Sequence, residues 1–137
     1  MKLSLKVGYA CQVLAQLGRT FGQSRMPHIE DLAVAEAIPA NYLVQILNEL
    51  RTGGLIVSKR GKQGGYALAR DPKEINLYEI VCALEGALLE LPPTGKGFNA
   101  ARTREIWLAI SSQLEAQTRA VSVRDLMSQE VEEMWYI

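Results

Sequence analysis

The sequence predicts a mostly α-helical fold that contains one small β-hairpin and ends in a long helix. Three observations lead to this prediction. Apolar residues recur at three- and four-residue steps over most of the chain, which is the period of an amphipathic helix. The period changes to two between residues 55 and 69, around a glycine-rich tip. The longest helical stretch, residues 100–121, follows a segment rich in Gly and Pro.

Composition indicates one domain with an extension. The chain has 137 residues, of which 48% are hydrophobic and 22% charged, a balance that supports a buried core and argues against disorder. No apolar run approaches the ~20 residues that a membrane span needs, and residues 1–6 do not begin a secretory signal peptide. We therefore expect a cytoplasmic protein with no membrane partner.

The net charge of zero hides an asymmetry between the two halves. Residues 1–70 hold nine Lys/Arg against four Asp/Glu, a balance of +5, and residues 71–137 hold six against eleven, a balance of −5. A basic first half suggests an anionic partner, although chance segregation of surface charge explains the asymmetry equally well.

The first half predicts three helices. Residues 3–18 carry an apolar stripe that includes Leu3, and residues 29–36 form a short helix. A tight turn then leads into a helix over residues 39–52, with Pro39 in its first turn. A short helix, a tight turn and a second helix together make a helix-turn-helix.

The third predicted helix has a polar outward face that suits the reading of DNA bases. Positions 40, 41, 44, 45, 48 and 51 face outward and hold Ala, Asn, Val, Gln, Asn and Arg. Asn and Gln can pair with adenine and Val can touch a thymine methyl, while Arg51 suits a phosphate. The alternative is a solvated face, but such a face favours Lys and Glu, which are scarce here.

The hairpin predicts a wing. Its strands are residues 55–58 and 66–69, and its tip holds Lys59, Arg60, Gly61, Lys62, Gly64 and Gly65. Glycine lets backbone approach another surface closely, and arginine fits a narrow minor groove. By itself such a tip could equally be a solvated charged loop. Directly after a helix-turn-helix, it indicates a winged helix-turn-helix that binds double-stranded DNA.

The second half predicts a helix over residues 77–85, the long helix over residues 100–121, and a short helix over residues 123–132. We divide the chain into a DNA-binding domain (1–86), a hinge (87–99) and a dimerisation segment (100–137). The predicted dimer face of the long helix consists of Ile106, Ile110, Gln113, Leu114, Gln117 and Val121. An isologous pair of such helices would bury it, so we expect a homodimer. The alternative is a monomer whose long helix folds back onto its own domain.

Four segments of the chain resemble the Rrf-type family of bacterial transcription regulators. They are Met1-Lys2-Leu3-Ser4-x-Lys6-x-x-Tyr9-Ala10; Tyr42-Leu43-x-Gln45-Ile46-x-x-x-Leu50-Arg51-x-x-Gly54-Leu55; Arg60-Gly61-x-x-Gly64-Gly65-Tyr66-x-Leu68-Ala69; and Leu77-x-x-Ile80-x-x-Ala83-x-Glu85-Gly86. The family includes regulators of iron–sulfur cluster, nitric oxide and cysteine metabolism. The resemblance implies a winged helix, a long dimerisation helix, and a palindromic operator bound symmetrically.

The resemblance also implies roles for individual residues. Asn41, Val44 and Gln45 occupy base-reading positions, and Arg60 occupies the wing position that enters the minor groove. Ser4, Lys6 and Tyr42 match positions that contact the DNA backbone. Val44 stands where glutamate is frequent in the family, so the operator is expected to differ from the usual one. Lys62 and Gln63 also depart from the more glycine-rich tip of the family.

The sensor of this protein is expected to differ from that of the cluster-binding members. Those members resemble one another in three cysteines near the loop that precedes the long helix, whereas residues 86–104 contain neither cysteine nor histidine. Since thiolates are the usual cluster ligands, we expect no metal site and no cofactor. We interpret Cys11 and Cys82 as packing residues, and a redox role is the alternative. We interpret His28 as a helix cap. The effector, a small molecule or a protein, stays open.

The function expected from these observations is sequence-specific regulation of transcription. Repression is favoured over activation. The chain shows no nucleophile elbow, phosphate loop or paired catalytic carboxylates, so we expect no enzyme. The alternative is a winged helix that has become a protein-interaction module. That history should have weakened the basic wing, which is intact.

Overall fold

A computed structural model gives the structure of residues 2–129. In chain order its elements are α1 (Leu5–Arg19), α2 (Ile29–Glu36), α3 (Ala40–Thr52), β1 (Ile56–Lys59), β2 (Gly65–Leu68), a 3₁₀ turn (Pro72–Glu74), α4 (Leu77–Glu85), α5 (Ala100–Arg119) and α6 (Val123–Leu126). The fold is mostly helical with one two-stranded antiparallel hairpin, which confirms the predicted class. Within residues 2–129, no helix combines the length and the apolar character that a membrane crossing demands.

Helix α1 begins two residues later than predicted because Ser4 caps it. The Ser4 hydroxyl oxygen accepts a hydrogen bond from the backbone N–H of Val7 at 3.1 Å, which satisfies one of the otherwise unpaired first-turn donors. Leu3 lies before the cap and is 75% exposed. Its assignment to the apolar stripe was therefore wrong. The stripe itself is confirmed and packs into the core through Val7, Ala10, Val13, Leu14 and Leu17.

The helix-turn-helix is formed by α2 and α3. Ala37 ends α2 in the left-handed conformation (φ 54°, ψ 47°), and the next residue, Ile38, turns into the core and is buried. Pro39 is the N-cap of α3, one position before the first turn that was predicted for it. The predicted buried face of α3 is confirmed, since Leu43, Ile46, Leu47 and Leu50 are all buried.

The wing is the hairpin β1–β2, paired from Ile56↔Leu68 to Lys59↔Gly65, so the two strands meet one residue nearer the tip than predicted. Gly65 has φ +135°, and a Cβ there would lie 2.5 Å from the carbonyl oxygen of Pro27. The next N–H, that of Tyr66, donates to the same carbonyl at 2.9 Å. The tip end of the hairpin, where β2 begins, is thus held against residues 26–27, the end of the loop that joins α1 to α2.

The C-terminal elements return to the helical domain. Helix α5 ends at Arg119 and α6 at Leu126, so the predicted ends at 121 and 132 were both too late, and residues 130–132 lie outside the described part. Val123 is fully buried in the core, and its N–H donates to the carbonyl of Ile75 at 2.8 Å. Residues 123–126, which were assigned to the dimerisation segment, therefore pack with the same core as α1.

Candidate nucleic-acid interface

The polar face of α3 is open to solvent. All six residues predicted to face outward (40, 41, 44, 45, 48 and 51) are exposed, and Val44 exposes 47% of its surface. Tyr42 is half-buried because its ring packs edge-on against Tyr9 of α1, with centroids 5.6 Å apart at 83°. This contact holds the start of α3 against α1 while Asn41, Val44 and Gln45 stay free to touch a ligand.

Arg51 connects the end of α3 to the wing. Its Nη2 donates to Oδ1 of Asn48 at 3.1 Å, and its Nη1 donates to the hydroxyl of Ser58 in β1 at 3.2 Å. The guanidinium stays exposed. Sequence reasoning assigned Arg51 to a phosphate contact and missed Ser58. The two bonds place the Arg51 charge between the recognition helix and the wing.

The wing presents its charges to solvent. Lys59, Arg60 and Lys62 are exposed, and none of them forms an ion pair within residues 2–129. Gly64 and Gly65, by contrast, are buried where the tip of the wing joins β2. A Cβ on Gly64 would lie 2.1 Å from the carbonyl oxygen of Lys59. The close approach that these two glycines permit in this structure is therefore to the protein's own backbone.

The start of α1 differs from the wing because carboxylates occupy its predicted contacts. The Ser4 hydroxyl donates to Oε1 of Glu85, the last residue of α4, at 2.6 Å. The Lys6 ammonium lies 3.2 Å from Oε1 of Glu49 in α3. Sequence reasoning missed Glu49 and Glu85, which lie 43 and 81 residues from their partners.

The predicted dimer face lies on α5 with one exception. Ile106 and Ile110 are 47% and 40% exposed, Gln113 and Gln117 are exposed, and Leu114 is half-buried. The predicted position of Val121 on this helix was wrong, whereas its place in a dimer interface stays a prediction. It lies beyond the end of α5, and its carbonyl accepts the N–H of Leu77 at 2.8 Å.

Helix α5 is fixed to α4 near its C-terminal end. The Arg119 guanidinium lies 4.1 Å from the centroid of the Tyr78 ring and 3.3 Å from the Glu115 carboxylate. Hydrogen bonding between Tyr78 and Glu115 is the main cause that raises the pKa of Tyr78 and lowers the pKa of Glu115. Among the residues of α5, all of which the structure describes, only Thr118 is buried.

The segment before α5 and the first turns of α5 enclose an open cavity of about 710 Å³. Apolar side chains dominate its lining, among them Leu89, Leu91, Phe98 and Trp107. Arg104 also lines it and donates a hydrogen bond to the carbonyl of Pro92, which ties this segment to α5. Residues 87–99 contain no helix or strand, and their role as a hinge stays a prediction.

The residues that could act as metal ligands do not fit a cysteine-ligated iron–sulfur cluster. The chain has only two cysteines, one in α1 and one in α4, both half-buried, and burial raises the pKa of the Cys11 thiol. Residues 2–129 contain no group of three His, Cys, Asp or Glu placed to hold a metal ion. The only histidine, His28, is the N-cap of α2, where its backbone N–H donates to Asp31 at 2.8 Å.

A helix-turn-helix with an exposed amide-bearing face, followed by a cationic hairpin, defines a winged helix-turn-helix DNA-binding regulator. Residues 3–129 match the Rrf2 family, described as "Iron-dependent Transcriptional regulator". An HTH-type transcriptional regulator of Mycobacterium tuberculosis is 31% identical over 131 residues, which cover 92% of this chain and 81% of that protein. The chain belongs to the Rrf2 family, and the resemblance found from the sequence motifs is thereby confirmed.

Solved structures agree with the family assignment. CymR, the global cysteine regulator of B. subtilis, superposes with a TM-score of 0.77 at 26% identity, covering 92% of this chain and 95% of that one. IscR of T. potens gives a TM-score of 0.73 at 27% identity, covering 98% and 88%. These relatives are named for regulation and not for an enzymatic reaction.

Proposed function

We propose that this protein represses transcription by binding a palindromic operator as a homodimer in the cytoplasm. The observation that carries the proposal is the exposed face of α3 beside a wing whose three cations have no acidic partner within residues 2–129. Amide side chains on a recognition helix read base edges, and unpaired cations neutralise phosphates. Repression is the simplest consequence of occupying an operator.

The division of labour follows from where the side chains lie. Asn41, Val44 and Gln45 read bases from the exposed first turns of α3, and Arg60 enters the minor groove. The phosphate-contacting set is Ser4, Lys6, Tyr42, Arg51, Lys59 and Lys62. Gly64 and Gly65 serve DNA binding indirectly, because their missing side chains let the wing backbone lie against Lys59 and against the loop at residues 26–27.

Two copies are needed for a palindrome. One α3 and one wing cover a half-site, and a two-fold operator places its half-sites about one helical turn apart. The exposed residues Ile106, Ile110, Gln113 and Gln117, with the half-buried Leu114, form the interface in this proposal. Each would lie against the same face of the partner's α5, as an isologous contact requires.

The signal in this proposal is not a cysteine-ligated cluster, because only Cys11 and Cys82 are available and they lie on different helices. The cavity between the hinge and α5 offers room for an effector of small-molecule size. Protein purified without oxygen is expected to be colourless. A brown preparation with stoichiometric iron and sulfide would contradict this part of the proposal.

Selection from a random duplex library, followed by fluorescence anisotropy on the enriched sequence, tests the proposal. We expect a palindromic consensus and an affinity that falls steeply with salt, because phosphate contacts release counterions. A reporter promoter carrying that sequence should be silenced by the protein. The competing function, a protein-interaction module, predicts no enriched sequence and only weak binding to any duplex at low salt.

A further inference from the structure

The cations on the predicted DNA surface fall into two groups. Arg51 at the end of α3 and the wing cations Lys59, Arg60 and Lys62 are exposed and form no ion pair within the described chain. Lys6 at the start of α1 is paired with Glu49 at 3.2 Å. A cation that already has a carboxylate partner brings no net charge to a phosphate. The two groups therefore cannot contribute equally to DNA affinity.

The Lys6–Glu49 pair is partly withdrawn from solvent. The side chain of Lys6 is 22% exposed and that of Glu49 is 33% exposed. Oε1 of Glu49 accepts from Lys6, while Oε2 is shielded from solvent and has no hydrogen-bond partner. Lys6 is thus the hydrogen-bonding cation of a carboxylate that has little else to bind, and a phosphate must compete with this carboxylate for the ammonium group.

A second carboxylate lies at the same end of α1. Glu85 accepts the Ser4 hydroxyl proton at 2.6 Å, so the hydroxyl hydrogen points to an acid and not to solvent. Ser4 and Lys6 are only two residues apart in the chain, and each is held by a carboxylate from a different helix. An approaching phosphate therefore meets negative charge at both predicted contacts.

We propose that Glu49, assisted by Glu85, limits the strength of DNA binding by acting as the counter-charge of α1. This inference rests on the proposed DNA-binding function. Phosphate contacts are the same for every sequence, so weakening them lowers the affinity for DNA in general. The base contacts of α3 then contribute a larger share of the binding free energy. Glu49 is in this sense a residue that determines specificity without touching a base.

The substitution Glu49→Gln tests the proposal in the full-length protein. Anisotropy titrations with a random-sequence duplex over a range of salt concentrations measure both affinity and its salt dependence. We expect several-fold tighter binding at low salt. The plot of log affinity against log salt should steepen by about 0.9, the increment for one newly neutralised phosphate.

The matched control is Glu79→Gln. Glu79 is similarly exposed (31%) and pairs with Arg70 at 2.8 Å, but it belongs to α4 and lies outside the predicted DNA contacts. The control adds the same charge to the protein and keeps a helix-capping side chain. Equal steepening in both variants would overturn the proposal, because the effect would then come from net charge alone.

Lys6 provides the decisive comparison. Lys6→Gln should lower the salt slope less in the wild-type background, where Glu49 already holds the ammonium group, than in the Glu49→Gln background, where it should cancel the steepening. In the double variant neither position 6 nor position 49 carries a charge, so no partly buried carboxylate is left without its lysine at this site. The double variant therefore tests the proposal even if Lys6→Gln alone unfolds the protein. Glu85→Gln should give a smaller gain in affinity, since its partner Ser4 is neutral.

The outcomes separate two failures. If Glu49→Gln binds more weakly, or Lys6→Gln costs the same in both backgrounds, the pair only ties α1 to α3 and the proposal is overturned. If the wild-type protein binds no duplex even at low salt, the proposed DNA-binding function falls, and this inference falls with it. Circular dichroism melts of every variant show that binding changes do not reflect unfolding.

Discussion

Helices α3 and α5 both carry apolar residues, but they place them differently. In α3 the large aliphatic side chains that face inward are all buried, and the opposite face is polar and exposed. In α5 four large apolar side chains, Ile106, Trp107, Leu108 and Ile110, are 40% to 49% exposed. The apolar face of α3 is buried within a single chain. The apolar side chains of α5 are not fully buried within a single chain.

The attachment of α5 explains this difference. Near its C-terminal end, Glu115 and Arg119 contact Tyr78 of α4. In the preceding turns the large apolar side chains stay 40% to 49% exposed, although Trp107 also lines the cavity beside the segment that precedes α5. Clustered exposed apolar side chains of this kind mark interaction surfaces. Base reading is thus expected of α3, and assembly of α5.

The largest expected effect comes from charging the exposed face of α5. Ile106→Glu with Ile110→Glu should convert the dimer to a monomer, because two carboxylates would be buried without partners. With one half-site lost, operator affinity should fall toward the non-specific level, by roughly a thousandfold. Analytical ultracentrifugation and anisotropy measure the two effects.

The control for this variant is Ala101→Glu with Ser112→Glu. Both positions are exposed on α5 and lie roughly 150° around the helix from the centre of the predicted interface, at 3.6 residues per turn. This variant should remain dimeric. Sedimentation of the wild-type protein as a monomer at micromolar concentration would remove the basis for assigning assembly to α5.

A smaller effect, on stability, distinguishes the two faces of α3. Leu47→Ala removes a buried aliphatic side chain and should lower the free energy of unfolding by about 2–5 kcal/mol. Val44→Ala removes an exposed one and should change stability by less than about 0.5 kcal/mol, while altering base preference. Urea unfolding at fixed protein concentration gives both values. Similar losses of unfolding free energy in the two variants would mean that α3 is not divided into a buried face and an exposed face.

Sequence reasoning succeeded where the information is local and periodic. The buried face of α3 follows from spacing alone, and the hairpin follows from a change of period around Gly64 and Gly65. Reasoning failed at the ends of elements, because capping and tertiary contacts decide them. Because Ser4 is the N-cap, α1 begins at Leu5 and does not include Leu3. After α5 ends, the carbonyl of Val121 accepts a hydrogen bond from the N–H of Leu77 instead of continuing the helix.

The acidic partners of the α1 contacts were beyond the reach of sequence patterns. Glu49 meets Lys6 across 43 residues of chain, and Glu85 meets Ser4 across 81. Neither distance follows a helical or strand period, so only the packing of α1 against α3 and α4 brings these groups together. Local patterns therefore predicted which residues of α3 are exposed but not which of the proposed DNA contacts have an acidic partner.

At the wing, Arg60→Ala should weaken operator binding by about 2 kcal/mol, within the range for a lost groove contact. Stability should not change, because Arg60 is exposed and forms no ion pair in the described structure. Lys73→Ala removes another exposed cation, in the 3₁₀ turn, and should leave binding unaltered. Equal losses from both substitutions would argue that the wing acts only through net charge.

Within α3, Asn41→Ala and Gln45→Ala should each reduce discrimination between bases by about 1 kcal/mol while changing non-specific affinity little. Both side chains are exposed on the first turns of the helix. Repeating the duplex selection with each variant shows which operator positions lose their preference. Unchanged preferences in both variants would require a different helix register on the DNA. Asn48 lies one turn further along α3, where it accepts a hydrogen bond from Arg51. The base preferences of Asn48→Ala are compared with those of the Asn41→Ala and Gln45→Ala variants.

The smallest expected effect tests how α5 is anchored. Hydrogen bonding with Tyr78, and then with Arg119, lowers the pKa of Glu115. A carboxylate with a lowered folded-state pKa stabilises the fold above its unfolded pKa, and this stabilisation is lost as pH falls through the folded value. The stability difference between the wild type and Glu115→Gln should therefore be largest above about pH 5 and should shrink toward pH 3. Urea unfolding must use one protein concentration throughout, because the stability of a dimer depends on it. Glu105→Gln, on the same helix but in a highly exposed pair with Arg102, is the control for the loss of one negative charge from α5. A difference for Glu115→Gln that stays constant with pH would mean that its ionisation does not help to hold α5 against α4.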